Sequence, residues 1–190
     1  LGLGMKEAMR YGVARGLFSN EAGMGSTPHA HAMAKVEHPH DQGVIAMIGV
    51  FLDTFVVLTL TALVILTSGL FEPVTGSLQG TALAQAAFNA AFGSFGNAFV
   101  AICMLFFAFS TIIGWYFFGK TNVQALFGKR GVVFYTLLVL VFIVIGSTQK
   151  VDLVWSLSDM FNGLMVLPNL IGLLALNGLV VRISRSKDTL

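Results

Sequence analysis

Two carboxylates and a few hydroxyls and amides lie inside otherwise apolar runs, and they are the side chains of this 190-residue chain best placed to do chemistry. Asp53, Thr54 and Thr61 fall within about a 100° arc of a helix with 3.6 residues per turn, so they can face one partner or cavity together. Ser110 shares a face with Cys103, Phe107 and Gly114, with Thr111 beside it. Hydroxyl oxygens next to a glycine are neutral ligands of the kind hard cations accept. They also bond carbonyls of their own helix or of a neighbour, and sequence alone leaves both readings open. Asn162 and Asn169 share a third face, with Asp159 one turn away. An unpaired carboxylate in hydrocarbon costs at least about 2.5 kcal/mol, so Asp53 and Asp159 must each face protein, water or a cation. A separate polar run, RGLFSNEAGMGSTPHAHA at residues 15–32, is punctuated by glycines and one proline. Its HAH, and the HPH at His38 to His40, invite a metal reading. Neither has the i, i+4 spacing of a helical zinc site, and the sole cysteine, Cys103, is distant, so these read as loop histidines.

The elements that must carry these residues are membrane helices. The chain is 56% hydrophobic and only 11% charged, with a mean hydropathy of +0.83, against about 25% charge in an ordinary soluble domain. A hydrocarbon core needs about 20 apolar residues as helix, and four runs come near that: 44–66, 98–118, 131–147 and 153–181. The third is short, and Pro168 should kink the fourth. None alternates as barrel strands do. Single charges are sparse in the spans, and basic residues cluster before the first (Lys6, Arg10, Arg15, Lys35), between the second and third (Lys120, Lys129, Arg130) and after the fourth (Arg182, Arg185, Lys187). The positive-inside rule then makes those three regions cytoplasmic. The expected layout is a cytoplasmic helical segment at 1–42, a transmembrane helix at 43–68, an external loop at 69–97, a helix at 98–118 and a cytoplasmic loop at 119–130. Helices at 131–147 and 153–181 and a cytoplasmic tail at 182–190 follow. Within the external loop, Thr81, Gln85 and Asn89 recur every fourth residue and predict a short amphipathic helix. A net charge of +2 argues for no nucleic-acid partner, and no nucleophile and base pair argues for an enzyme. Lacking an initial methionine, the chain reads as a piece of a longer protein.

Four blocks, RGLFSNEAGMGSTPHAHAMAKVEHPHDQG, GVFLDTFVVLTLTALVIL, FFAFSTIIGWYFFGK and DLVWSLSDMFNGLMVLPNL, resemble consecutive parts of the alanine or glycine:cation symporter family, the sodium:alanine symporters. The resemblance covers essentially the whole chain. It implies an all-α integral membrane protein of the inverted-repeat LeuT type, in the cell membrane, with the four spans as the last four helices of the second repeat. The first repeat and the broken sixth helix would lie outside this chain. Its activity would be sodium-coupled import of a small neutral amino acid, alanine or glycine, with sodium as coupling ion and no organic cofactor. The resemblance further implies a cation site at Ser110, Thr111, Asp53 and Thr54, and substrate contacts at Thr111, Gly114 and Asn162. Asp159 would be the acidic half of an external gate, its basic partner in the absent half, and Asn20 and Glu21 would hold a cytoplasmic gate shut. A channel or non-transporting membrane subunit, with the polar stripes serving only helix packing, is the alternative.

Overall fold

The computed structural model describes residues 2–71, 78 and 80–185, and these form helices and loops with no strand. The parts of the external loop at 72–77 and 79, and the tail from 186 onward with Lys187, lie outside the described residues. The helices are α1 (Gly2–Asn20), α2 (Pro28–His31), α3 (Pro39–Phe51), α4 (Leu58–Thr67), α5 (Gly80–Phe92), α6 (Ser94–Ser147) and α7 (Val151–Arg185), with a π-helical turn at Leu52–Val57 joining α3 to α4. Three stretches are long and apolar enough to cross a membrane: Pro39–Thr67, Ser94–Ser147 and Val151–Arg185. The protein is an integral membrane protein.

The count of three rather than four comes from α6, which continues through the loop expected at 119–130. At 1.5 Å per residue its 54 residues would reach about 80 Å, far beyond a core of about 30 Å. It does not run straight. Gly128 leaves helical geometry at φ 67°, ψ −167°, a region open essentially to glycine alone, and the chain doubles back there. Tyr116 stacks on Tyr135 at 5.8 Å and meets the Thr136 hydroxyl at 2.9 Å, so the two arms lie side by side. Gly119 permits this approach, because a Cβ there would strike the Tyr135 hydroxyl. Lys120, Lys129 and Arg130 lie along the turn, which is helical on both sides of a single glycine instead of an extended loop. α7 stays helical on both sides of Pro168, from Val151 to Arg185.

The chain divides into two compact units, residues 51–113 and residues 1–50 with 114–190. In the smaller unit, α5 packs on α4 with Thr81, Gln85 and Asn89 exposed and Ala87 fully buried, the amphipathic division its sequence predicts. Gly93, at φ 60°, turns α5 into α6, and Gly96 then lies so close to the Phe88 carbonyl that no Cβ fits. Phe88 stacks on Phe99 at 5.6 Å across the same corner. Among the described residues, only Met24, Ala87 and Val100 form a buried apolar core, whereas dozens of Leu, Ile, Val and Phe side chains are exposed. Soluble domains cannot sustain such a surface; lipid or further helices must cover it.

Candidate functional site

The larger unit holds a polar path along α7. Arg15, near the end of α1, forms an ion pair with Asp159, and its guanidinium lies 3.9 Å from the centre of the Trp155 ring. Trp155 and Asp159 are one turn apart on α7, so a planar guanidinium can stack on one and bond the other at once. Phe18 meets Trp155 edge-on at 5.4 Å. Asp159 therefore finds its basic partner within this chain, contrary to the expectation of a partner in an absent half. The signal was available as an isolated arginine inside the apolar VARGLF run. Arg15 stands near the opposite end of α7 from Arg182 and Arg185 instead of beside them.

After α1 ends at Asn20 the backbone turns through Glu21 at φ 54° and Gly23 and Gly25 at φ 86°. Left-handed geometry suits the glycines; in Glu21 it is strain of about 1–3 kcal/mol, held by its surroundings. The Ala22 N–H donates to Asn20 Oδ1 at 3.0 Å, and the Ser26 hydroxyl donates to Glu21 Oε2 at 2.6 Å. Met24 and Ser26 are each only 2% exposed, which makes this loop the best-buried part of the larger unit's described residues. Asn169 Nδ2 on α7 donates to the Gly23 carbonyl at 2.8 Å, and its side chain fills the space a Gly25 Cβ would need. Asn169 sits near the middle of the apolar stretch of α7, so the SNEAG loop is level with that middle.

Further along, His29 Nδ1 is 2.9 Å from the Ser26 carbonyl and Nε2 is 3.0 Å from Asn122 Nδ2. The ring with hydrogen on Nδ1 satisfies both, donating to Ser26 and accepting from Asn122. His31 Nδ1 lies 2.7 Å from Gln42 Nε2, and His40 Nδ1 is 3.4 Å from the Ser184 hydroxyl near the end of α7. From Arg15 beside Asp159, past Gly23 beside Asn169, to His40 beside Ser184, the chain thus accompanies α7 for 25 residues of helix, about 38 Å. Beside the Arg15–Asp159 pair, α1 and α7 line an open groove of about 500 Å³ with Met9, Arg10, Val13, Leu17, Asp159 and Asn162 among its walls. Asn162 Nδ2 is buried there without a hydrogen-bond partner.

In the smaller unit, Asp53 and Thr54 lie together, partly buried, on the π turn. Its register is set by the Leu58 N–H donating to the Asp53 carbonyl five residues back. Such single wide turns inside α-helices are frequent at functional sites, and no periodicity argument foresees them. Thr61 turns its hydroxyl to the Val57 carbonyl at 2.9 Å. Ser110 does likewise to Phe107 at 3.2 Å, and both it and Thr111 are exposed on α6. Of the three residues expected to touch substrate, Thr111 belongs to the smaller unit while Gly114 and Asn162 belong to the larger.

Sequence comparison decides the family, since residues 1–187 match the sodium:alanine symporter family. The chain belongs to that family. Relatives include a sodium/alanine symporter, AgcS, of Methanococcus maripaludis, 44% identical over 92% of this chain and 38% of its own length. A probable sodium/glutamine symporter, GlnT, of Bacillus subtilis is 46% identical over 91% of this chain and 36% of its own. The amino-acid carrier protein AlsT, also of Bacillus subtilis, is 41% identical over 90% and 36%. The chain spans about two-fifths of the length of these sodium:alanine symporter relatives. No solved structure matches it. The family to which it belongs is one of transporters, not of enzymes, and is named for sodium and alanine.

Proposed function

We propose that this chain is the later part of a sodium-coupled symporter that imports small neutral amino acids, alanine or glycine, across the cell membrane by alternating access. The observation that carries the reading is the run from Arg15 to His40, which keeps pace with α7 while its helix is broken at residues 21–26. Non-helical backbone at membrane depth is tolerated only where protein buries it or a cavity needs it. In transporters of the inverted-repeat type, broken helices supply free carbonyls and N–H groups for ion and substrate near the midplane. On this reading the broken sixth helix is in this chain, and Asn20 and Glu21 belong to its broken segment. The tail beyond Arg185 is cytoplasmic, in keeping with Arg182 and Arg185 in the last turn of α7.

Within that frame, Asp53 and Thr54 on the π turn, with the Ser110 and Thr111 hydroxyls, supply oxygen ligands for sodium. Thr111, Gly114 and Asn162 face the substrate, and the Arg15–Asp159 pair closes the outer side. Coupling requires that sodium and amino acid each favour the same occluded arrangement, and each then raises the other's affinity by the same factor. Uptake of labelled L-alanine into liposomes holding the full-length protein tests this. Accumulation against a gradient when sodium is outside, abolished when sodium is replaced by choline, is the expected result. Uptake that only equilibrates alanine, regardless of sodium, means a channel and overturns it.

A further inference from the structure

Both ring nitrogens of His29 are bonded, and the two bonds fix where its hydrogen lies. Nδ1 stands 2.9 Å from the Ser26 carbonyl, which can only accept, so Nδ1 carries the hydrogen. Nε2 keeps a lone pair and faces Asn122 Nδ2 on α6 at 3.0 Å. That amide is itself pinned, because the same nitrogen donates to the Phe118 carbonyl one turn back, also at 3.0 Å. A proton on Nε2 sets N–H against N–H. Turning the amide over to offer its oxygen sets that oxygen against the Phe118 carbonyl instead. Either way one bond between the SNEAG loop and α6 is lost, and imidazole is the side chain that changes charge between about pH 5 and 8. On the elements that touch the ring, the titratable groups are Glu21 in the loop, His31 on α2, and Tyr116 and Lys120 on α6. Each has another contact: Glu21 with the Ser26 hydroxyl at 2.6 Å, His31 with Gln42 at 2.7 Å, Tyr116 with Thr136 at 2.9 Å, and Lys120 with the Tyr116 ring, 5.9 Å from its centre. His31 differs from His29 in one respect. Among the described residues the Gln42 amide makes no second bond, so it can rotate and offer its oxygen to a charged ring.

We propose that His29 is a pH-sensitive latch: neutral, it fastens the SNEAG loop and α2 to α6, and protonated, it lets them part. The bond from Asn169 to Gly23 has no titratable member, so acid frees the α2 end of the loop and leaves the other end on α7. The proton acts on this joint as a regulator and is not cargo. The inference stands on contacts within the chain, whether or not the symporter reading holds.

Paired nitroxide labels at Ala32→Cys and Gln124→Cys test it, in the full-length protein with Cys103→Ser and any other cysteine replaced. In lipid nanodiscs they read the separation of α2 from α6 at about pH 8 and about pH 5.5. The ratio of parted to closed populations should rise about tenfold on acidification, the worth of one hydrogen bond. His29→Gln, which offers a carbonyl near the place of Nε2 and does not titrate, should hold that ratio within about twofold. His31→Gln should respond as the unsubstituted pair does. A ratio that is the same at both pH values with His29 in place overturns the proposal. So does a response that persists in His29→Gln or disappears in His31→Gln.

Discussion

Arg15, Trp155 and Asp159 make the firmest point of attachment between α1 and α7, and their energetics can be dissected. Both partners of the ion pair keep about a third of their side-chain surface exposed, 31% for Arg15 and 38% for Asp159. At an effective dielectric constant of 20, unit charges about 4 Å apart gain about 4 kcal/mol. Exposure and side-chain ordering discount that to about 1–2 kcal/mol, above the median for fully exposed pairs because the geometry is a direct charge-assisted bond. The guanidinium over Trp155 adds about 1 kcal/mol. Arg15→Ala should therefore destabilise by about 2–3 kcal/mol, Asp159→Ala by about 1–2, and the double variant by little more than Arg15→Ala alone. The coupling energy, about 1–2 kcal/mol, corresponds to roughly five- to thirtyfold in the equilibrium constant. Arg15→Lys should keep part of the ion pair and lose most of the stack, since an ammonium has no plane to lay on the indole. Equilibrium unfolding of the purified full-length protein in mixed micelles gives the four corners of the cycle. Strict additivity of the two alanine variants would show that the contact contributes nothing, and the reasoning about Asp159's partner would fall.

Other expectations are narrower. Gly25→Ala must bear a left-handed φ and a clash with Asn169, a loss of about 2–4 kcal/mol; Asn169→Ala in that background should relieve the clash, so the two changes should be sub-additive in the same unfolding assay. Gly128→Ala should lose about 1–3 kcal/mol and increase proteolytic nicking at the 119–130 turn, whereas Gly114→Ala, with open space around its Cβ, should be near neutral. Ser26→Ala leaves the Glu21 carboxylate without its hydroxyl donor and should cost about 1–3 kcal/mol, read as a lowered melting temperature; no change would mean that backbone bonds alone hold the loop. Ser110→Ala with Thr111→Ala should abolish the sodium dependence of uptake while the protein still inserts and purifies normally, and sodium dependence that survives refutes that cation site without touching the transport reading.

The helical membrane character and the division of α5 into wet and dry faces were legible, because hydropathy and period-four spacing are local properties that lipid and packing both reward. The errors share a cause. Local composition reports which groups a segment carries, and only the fold says which distant groups answer them. Arg15 counted as one more basic residue until Asp159 and Trp155 stood beside it, and the packing of the SNEAG loop on α7 rests on the Gly23–Asn169 bond, across 146 positions of sequence. The 119–130 turn looked like a loop because charges flagged it, yet a single glycine at positive φ lets helix persist on both sides. The π turn under Asp53 was invisible for a different reason, since one extra residue in a helical ladder leaves no trace in apolar spacing but rotates everything after it by about 100°. That rotation bears on the cation site itself. The arc that gathers Asp53, Thr54 and Thr61 assumes an unbroken helix; the offset swings Thr61 from about 80° past Asp53 to about 20° short of it, still on that side, but its hydroxyl is spent on the Val57 carbonyl at 2.9 Å. Asp53 and Thr54 lie on the wide turn itself, ahead of most of that offset. A ligand set built on the π turn should therefore include Thr54 and exclude Thr61, and Thr61→Ala should leave the sodium concentration for half-maximal uptake unchanged while Thr54→Ala raises it.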